Sequence, residues 1–304
     1  MKRFLALLLA VLLLTGCTPH NTPAPSVPST QPVTETTAAP EPGISVHFLD
    51  VNHADCILIA CGGEYALVDG GYPESGDKIV DYLSEQGVEE LELVVGTHPH
   101  GDHIGGLPQV LDTFPTERVW TSQLPYTNDY VQNFTTAVTR RGVELEQPRP
   151  GESLRLGDAT IDVIGPLNLL YEDANDLSLV LMVTYGDTRF LLTGDMEEVA
   201  ERELVEAGVD LKADVLKVGH HGSSSSTSYR FLRAVAPTYG VISLAAANEY
   251  GHPHRDPMSR LMDADVTIYR TDNMYDIVAF SDGETIQFTC GNAYAQPWKP
   301  GDPR

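Results

Sequence analysis

THPHGDH (Thr97–His103) sets three histidines and an aspartate into six consecutive positions. It directly follows the apolar run Leu91, Leu93, Val94, Val95, which reads as a buried strand. Pro99 disfavours helical geometry at His98 and Gly101 weakens any helix beyond it, so a loop leaving the strand is expected. On a helix, residues 98 and 100 would point about 200° apart and could not share one ion. In a turning loop they can. Neutral imidazoles and a carboxylate are suitable ligands for zinc-like cations. His98, His100, Asp102 and His103 are too many donors for one centre, so the stretch is read as a seat for two adjacent metals. The competing reading is a solvated polar loop.

Three more stretches argue against that competitor. Phe190-Leu191-Leu192-Thr193-Gly194-Asp195 delivers a carboxylate at a strand end, where it can bridge two cations or cap the next helix. Leu216-Lys217-Val218-Gly219-His220-His221-Gly222-Ser223 delivers two imidazoles in the same way. Tyr250-Gly251-His252-Pro253-His254 delivers two more, although His254 also reads as a plain surface residue. Seven of the ten histidines fall at 98–103, 220–221 and 252–254, a concentration that a merely solvated loop leaves unexplained.

The chain begins MKRFLALLLAVLLLTGC, two positive charges, an apolar stretch and small residues before Cys17, which is the pattern of an export signal. Leu14-Thr15-Gly16-Cys17 looks like a bacterial lipobox, so lipidation of Cys17 and anchoring to the outer face of a membrane are expected. Residues 18–43, rich in Pro, Thr, Ser and Ala, read as a flexible tether. A domain over 44–290 and a tail over 291–304 follow; the tail, with Trp298 between prolines, either is disordered or packs back. About 250 folded residues suffice for a substantial core. Acids number 43 against 19 bases, which speaks against a broad basic surface for nucleic acid. Cys56 and Cys61 are an odd number apart, so one strand would set them on opposite faces.

Strand patterns are read at 44–51, 56–61, 65–68, 91–95, 119–122, 179–185, 188–192, 213–218 and 240–244, with two or three more in 266–289. Gly62-Gly63 and Gly186-Asp187 read as hairpin turns. Helical patterns are read at 77–86, 105–113, 128–141, 196–207, 228–235 and 257–263. The expected fold is α/β, an αββα sandwich of two mixed sheets flanked by helices, with polar loops at one edge.

The HxHxDH pattern of 98–103, with Leu67-Val68-Asp69-Gly70-Gly71 and Thr193-Gly194-Asp195, resembles the metallo-β-lactamase superfamily. NDLSLV (175–180), LKVGHHGS (216–223) and NEYGHPH (248–254) are similar to the exterior domain of ComEC-type competence proteins. The resemblance runs from Ile44 to Ser281. It implies two divalent metal ions: His98 and His100 on one, Asp102 and His103 on the other, Asp195 bridging, and His221 or His220 completing the second site. Asp69 is implied to orient a ligand. His252, with His220 and Asp102, is implied to act in catalysis, His252 as general acid or hydrogen-bond donor near the leaving group. Lys217 and Ser223 are implied as neighbours of ligand or substrate.

Two departures from the resembled pattern stand out. No histidine occurs between Ile104 and Gly219, so Asn175, Asp176 or Ser178 is left to fill the first site through oxygen. Zinc is expected, and an oxygen-richer site favours manganese. Val51-Asn52-His53-Ala54-Asp55 stands where the branch has a glycine-rich VGQGD-like turn, and His53 is read as capping that turn rather than lining a cleft. Two cations would lower the pKa of a shared water towards neutrality and make hydroxide available as nucleophile. The leading expectation is an exterior phosphodiesterase, a nuclease acting on DNA. The alternatives are a hydrolase of another exterior ester, such as a cell-wall phosphocholine diester, and a DNA- or ligand-binding lipoprotein without catalysis.

Overall fold

The computed structural model describes residues 42–123 and 128–303. The leader, Cys17 and the tether as far as residue 41 lie outside the described residues. In chain order the elements are β1 (Ile44–Phe48), β2 (Ile57–Cys61), β3 (Glu64–Val68), α1 (Gly76–Glu85), β4 (Leu91–Gly96), α2 (Gly101–Ile104), α3 (Leu107–Thr113), β5 (Thr116–Thr121), α4 (Asp129–Arg141), β6 (Leu145–Glu146), β7 (Ser153–Leu156) and β8 (Ala159–Gly165). There follow β9 (Val180–Tyr185), β10 (Thr188–Leu192), α5 (Glu198–Glu206), β11 (Val215–Lys217), α6 (Tyr229–Val235), β12 (Tyr239–Ile242), α7 (Arg255–Asp263), β13 (Thr267–Arg270), α8 (Thr271–Met274), β14 (Ile277–Ser281) and β15 (Ile286–Cys290).

Two mixed sheets stack face to face, one ordered β15-β14-β1-β2-β3-β4-β5-β6 and the other β13-β12-β11-β10-β9-β8-β7. Alternation in β2 shows how the layers arise: Ile57, Ile59 and Cys61 enter the core between the sheets, while Leu58 faces the helices outside. Because both faces are covered, the strand is apolar throughout, as buried strands of layered α/β folds are. Outside one sheet, Ile79, Leu107, Val110 and Phe134 form a second core; outside the other, Ala200, Leu204, Phe231 and Leu261 form a third. The result is the αββα sandwich.

Each sheet has a parallel half: β3, β4, β5 and β6 in one, β10, β11, β12 and β13 in the other. Ligands of open α/β sheets gather beyond the carboxyl ends of such strands. Here β3 ends at Asp69, β4 at THPHGDH, β10 at Thr193-Gly194-Asp195 and β11 at the GHHG turn, so both sheets feed one edge.

Three details differ from the sequence reading. Asp102 and His103 lie on a helical turn, α2, rather than in a loop. Gly101 does not break that turn because it serves packing: a Cβ there would come within 2.6 Å of the Tyr130 ring. Strands β6, β7 and β8 were not assigned individually; β8 buries alternate residues, Ala159, Ile161 and Val163. At the end of the chain, Trp298 pairs with Ile268 of β13 through backbone hydrogen bonds of 2.9 and 3.0 Å.

Candidate metal centre

Asp195 lies at the middle of the edge. Its Oδ2 is 3.3 Å from His103 Nε2, 3.5 Å from His221 Nε2 and 3.8 Å from His220 Nε2, and Asp102 Oδ2 is 3.4 Å from His221 Nε2. Two ligands at zinc-like bond lengths in a tetrahedron are about 3.3 Å apart. Ligand atoms of Asp102, His103, Asp195 and His221 all fall within 4.8 Å of one another. Beside them, His98 Nε2 and His100 Nδ1 approach to 3.0 Å. Of the donors expected from the sequence, Asp102, His103, Asp195 and His221 thus cluster, with the His98–His100 pair packed beside His103.

Several polar atoms at this point make no hydrogen bond to the protein. His103 Nε2, His221 Nε2 and Asp195 Oδ1 are buried without a hydrogen bond. Leaving such atoms unsatisfied costs about 1–3 kcal/mol each, and a divalent cation would satisfy all of them. Charge points the same way. Burial alone would push the His103 imidazole down, yet Asp195, Asp69 and Asp102 hold it well above its ordinary value. Burial opposes ionisation of Asp195 too, but His221 and His103 hold its carboxyl well below the usual range. A proton on imidazole here stands in for the positive charge that the carboxylates demand.

A second ring of contacts fixes each donor. Asp69 Oδ2 lies 2.7 Å from His103 Nδ1 and accepts from the Thr97 hydroxyl, while its Oδ1 accepts from the Thr97 N–H, both at 2.8 Å. Ser243 O lies 2.9 Å from His221 Nδ1. Ser178 Oγ accepts from the Asp195 N–H at 3.1 Å and approaches His98 Nδ1 at 3.3 Å. Partners of this kind set the tautomer and aim the other ring nitrogen at the ion. His220 and His221 achieve their positions at a backbone cost: both have positive φ, 49° and 51°, a region L-residues occupy only when the surroundings enforce it.

Of the three oxygen candidates for the gap in the first site, only Asn175 has a buried oxygen without a hydrogen bond. Asp176 Oδ1 accepts from the N–H groups of Glu197 and Ala200, so it caps α5. Ser178 is occupied as above. Asn175 Oδ1 is buried without a partner, while its Nδ2 donates to Glu197. Asp195 does not cap α5, whose N-cap position is Glu197.

Lys217 and Ser223 stand away from the open side. Lys217 is fully buried, with Nζ 2.9 Å from Asp55 Oδ2 in an ion pair whose angle falls outside hydrogen-bond geometry. Asp55 Oδ1 in turn lies 3.5 Å from His221 Nδ1. Ser223 meets Ser225, which donates to Glu197, and Glu197 Oε1 is 2.9 Å from His220 Nδ1.

Above the donors opens a cleft of about 400 Å³ lined by His53, Tyr72, His100, Asp102, Asn128, Tyr130, Asp195, His220, His221, Tyr250 and His252. His53 thus lines the cleft, contrary to its reading as a turn cap. Asn52 takes the left-handed turn position, φ 67°, and frees His53 to point inward. His252 Nδ1 meets His53 Nε2 at 3.2 Å. Burial and neighbouring His53 push the His252 imidazole down to about 3, so it is neutral at neutral pH and fits the donor role better than that of a charged acid. His254 lies outside the cleft: its Nδ1 accepts from the Ser224 N–H and its Nε2 meets Tyr250 O, joining two loops.

Asp55, Glu197 and Asn128 escaped the sequence reading. Asp55 ends the VNHAD stretch in which His53 drew the attention, and its partner lies 162 positions away. Asn128 caps α4 through the Val131 N–H and donates to Pro99 O, which ties the helix to the histidine loop.

The chain is 31% identical over 223 residues to ComE operon protein 3 of Bacillus subtilis, covering 71% of this chain and 29% of that protein. It is 30% identical over 241 residues to Competence protein ComA of Neisseria gonorrhoeae, covering 77% and 32%. It therefore spans under a third of either relative. The fold is that of YhfI from Bacillus subtilis, a metallo-beta-lactamase fold protein, at a TM-score of 0.55 and 13% identity over 79% of this chain and 100% of that one. Divalent metals are the usual occupants of that fold's His/Asp cluster, and residues 49–246 match the family profile itself: the chain belongs to the metallo-beta-lactamase superfamily.

Proposed function

We propose that the protein is an extracytoplasmic, metal-dependent phosphodiesterase that cleaves DNA, held to the outer face of a bacterial membrane through lipidated Cys17. The observation that carries the chemistry is the convergence of buried atoms without a hydrogen bond, His103 Nε2, His221 Nε2 and Asp195 Oδ1, beneath an open cleft rimmed by imidazoles. One ion would sit among Asp102, His103, His221 and Asp195, whose ligand atoms lie within 4.8 Å of one another; a second would be held by His98 and His100, whose facing nitrogens are 3.0 Å apart, with the Asn175 oxygen as a further donor. Four imidazoles favour zinc, and the amide oxygen leaves manganese as the alternative. When bound, such cations acidify a water molecule and offset the charge of an attacked ester.

The remaining residues suit a substrate that is already anionic. Burial lowers the His220 pKa, but its contacts with Glu197 and Asp195 raise it overall, so a charged ring can offer Nε2–H to a phosphate oxygen. His252 and His53 face the same space and can hydrogen-bond the departing side. Relatives named for competence support a DNA substrate. A smaller exterior diester, such as a phosphocholine ester, is favoured by one specific feature: no lysine or arginine among the described residues lines the cleft.

The test uses full-length protein in detergent, loaded with zinc or manganese. Single- and double-stranded DNA should be cut in a chelator-sensitive reaction that Asp195→Ala abolishes. Metal-replete protein that cuts no nucleic acid ends the nuclease reading; turnover of bis(4-nitrophenyl) phosphate without DNA cleavage moves the assignment to the smaller ester.

A further inference from the structure

Three tyrosines, Tyr72, Tyr130 and Tyr250, stand around the cleft. Tyr250 lies nearly parallel to two imidazoles, at 5.2 Å and 21° from His53 and 5.6 Å and 25° from His252. It lines the cleft together with Tyr72, yet the residue remains 54% exposed. Tyr130 is seated on Gly101, where even a methyl group would collide with its ring. Exposed tyrosines scattered on a surface mean little. These converge on one concave site, and their contacts fix the rings before a ligand arrives, which reduces the ordering cost of binding.

The charges around the cleft sharpen the point. Proteins that grip a nucleic-acid strand draw most of their affinity from cations on successive phosphates. Here the lining offers Asp102 and Asp195 on the floor and, among the described residues, neither lysine nor arginine. Only the phosphate above the metal residues finds positive charge. At about 400 Å³, the space lies near the small end of the range for ligand sites, about 300–1,000 Å³. It suits one nucleoside unit and not a duplex.

Resting on the phosphodiesterase reading, we propose that Tyr250 is a stacking platform for the nucleobase beside the scissile phosphate, with Tyr130 as the facing wall. The substrate then enters as an unpaired strand, held by rings and one phosphate. The Tyr250 ring, stacked at 21° on His53 and at 25° on His252, favours a flat guest, which extends the pile. A quaternary ammonium would instead call for rings that face inward at large mutual angles.

The test is calorimetric binding to manganese-loaded full-length protein. Deoxyadenosine 5′-monophosphate should bind about tenfold or more tighter than 2-deoxyribose 5-phosphate, the gain expected of one stacked base. Tyr250→Ala should bring the nucleotide down to the sugar phosphate, and Tyr250→Trp should retain the preference. Affinity for a single-stranded oligonucleotide should change less than about tenfold between 50 and 200 mM salt, against about 10³–10⁵ for a protein with many phosphate contacts. Equal affinity for nucleotide and sugar phosphate, or a preference that survives Tyr250→Ala, overturns the platform and leaves the phosphodiesterase reading intact. Phosphocholine bound more tightly than the nucleotide, with the gain lost in Tyr250→Ala, also overturns it. If neither sugar phosphate nor nucleotide binds, both readings fall.

Discussion

His103 is held from both sides of its ring, with Nδ1 2.7 Å from Asp69 Oδ2 and Nε2 3.3 Å from Asp195 Oδ2. Donation of the Nδ1 proton to Asp69 leaves the Nε2 lone pair for a cation. Asp69 adopts a strained φ of 61° and takes two hydrogen bonds from Thr97, so its direction is fixed as well. Asp69→Asn can present its NH₂ group to Nδ1 and shift the proton to Nε2. Metal affinity should fall about 10- to 100-fold, the usual effect of losing such a partner. Competition with a chromophoric chelator measures it, and an unchanged constant would remove Asp69 from the centre.

Asp55 and Lys217 form a buried pair directly behind His221. Removing one partner of such a pair strands a charge and costs about 3–5 kcal/mol, whereas removing both costs far less. Lys217→Met should therefore lower stability in urea by that amount, and adding Asp55→Asn should restore most of it. A double variant no more stable than Lys217→Met would show that the pair acts through something other than its charge.

The features legible in the sequence were those that repeat locally. Strand β4 announced itself as an apolar run ending in donors, and the Gly62-Gly63 hairpin followed from two residues that both take positive φ. Asp195, His221 and His103 could be brought together because each follows a strand of a layered fold. Long-range pairings stayed hidden: nothing near Asp55 reveals Lys217, and nothing near His53 reveals Tyr250. Short edge elements were equally difficult, since β6 has two residues and no periodicity to detect. Gly101 misled because its propensity argues against a helix, whereas tertiary contact with Tyr130 decided the turn.

The anchoring proposal makes a prediction of its own. Cys17→Ala, expressed in a bacterium supplied with a clickable palmitate analogue, should lose the label and leave the membrane fraction. One acyl chain gives only marginal membrane binding, so stable anchoring needs more than one. Label retained in Cys17→Ala would show that the cysteine is not the lipid's site.

Glu201 connects α5 to the loop that carries His220 and His221. Its carboxylate accepts from the Thr227 and Ser228 N–H groups, at the start of α6, and it is almost fully buried. Burial raises its pKa from 4.5 to about 7, with the hydrogen bonds from Ser228 and Thr227 opposing the shift. A carboxyl group whose folded pKa exceeds its unfolded value binds more protons when folded. Its contribution to stability is thus greatest below about pH 4.5 and is lost as pH rises towards 7, by about 3 kcal/mol in total. Glu201→Gln cannot titrate, so the difference in unfolding free energy, wild type minus variant, should decline across that window and level off above it. Urea denaturation at half-unit pH steps measures the difference. A difference that stays flat, or rises with pH, would place the Glu201 carboxyl at or below its ordinary pKa and make its ionised form the one that holds the loop.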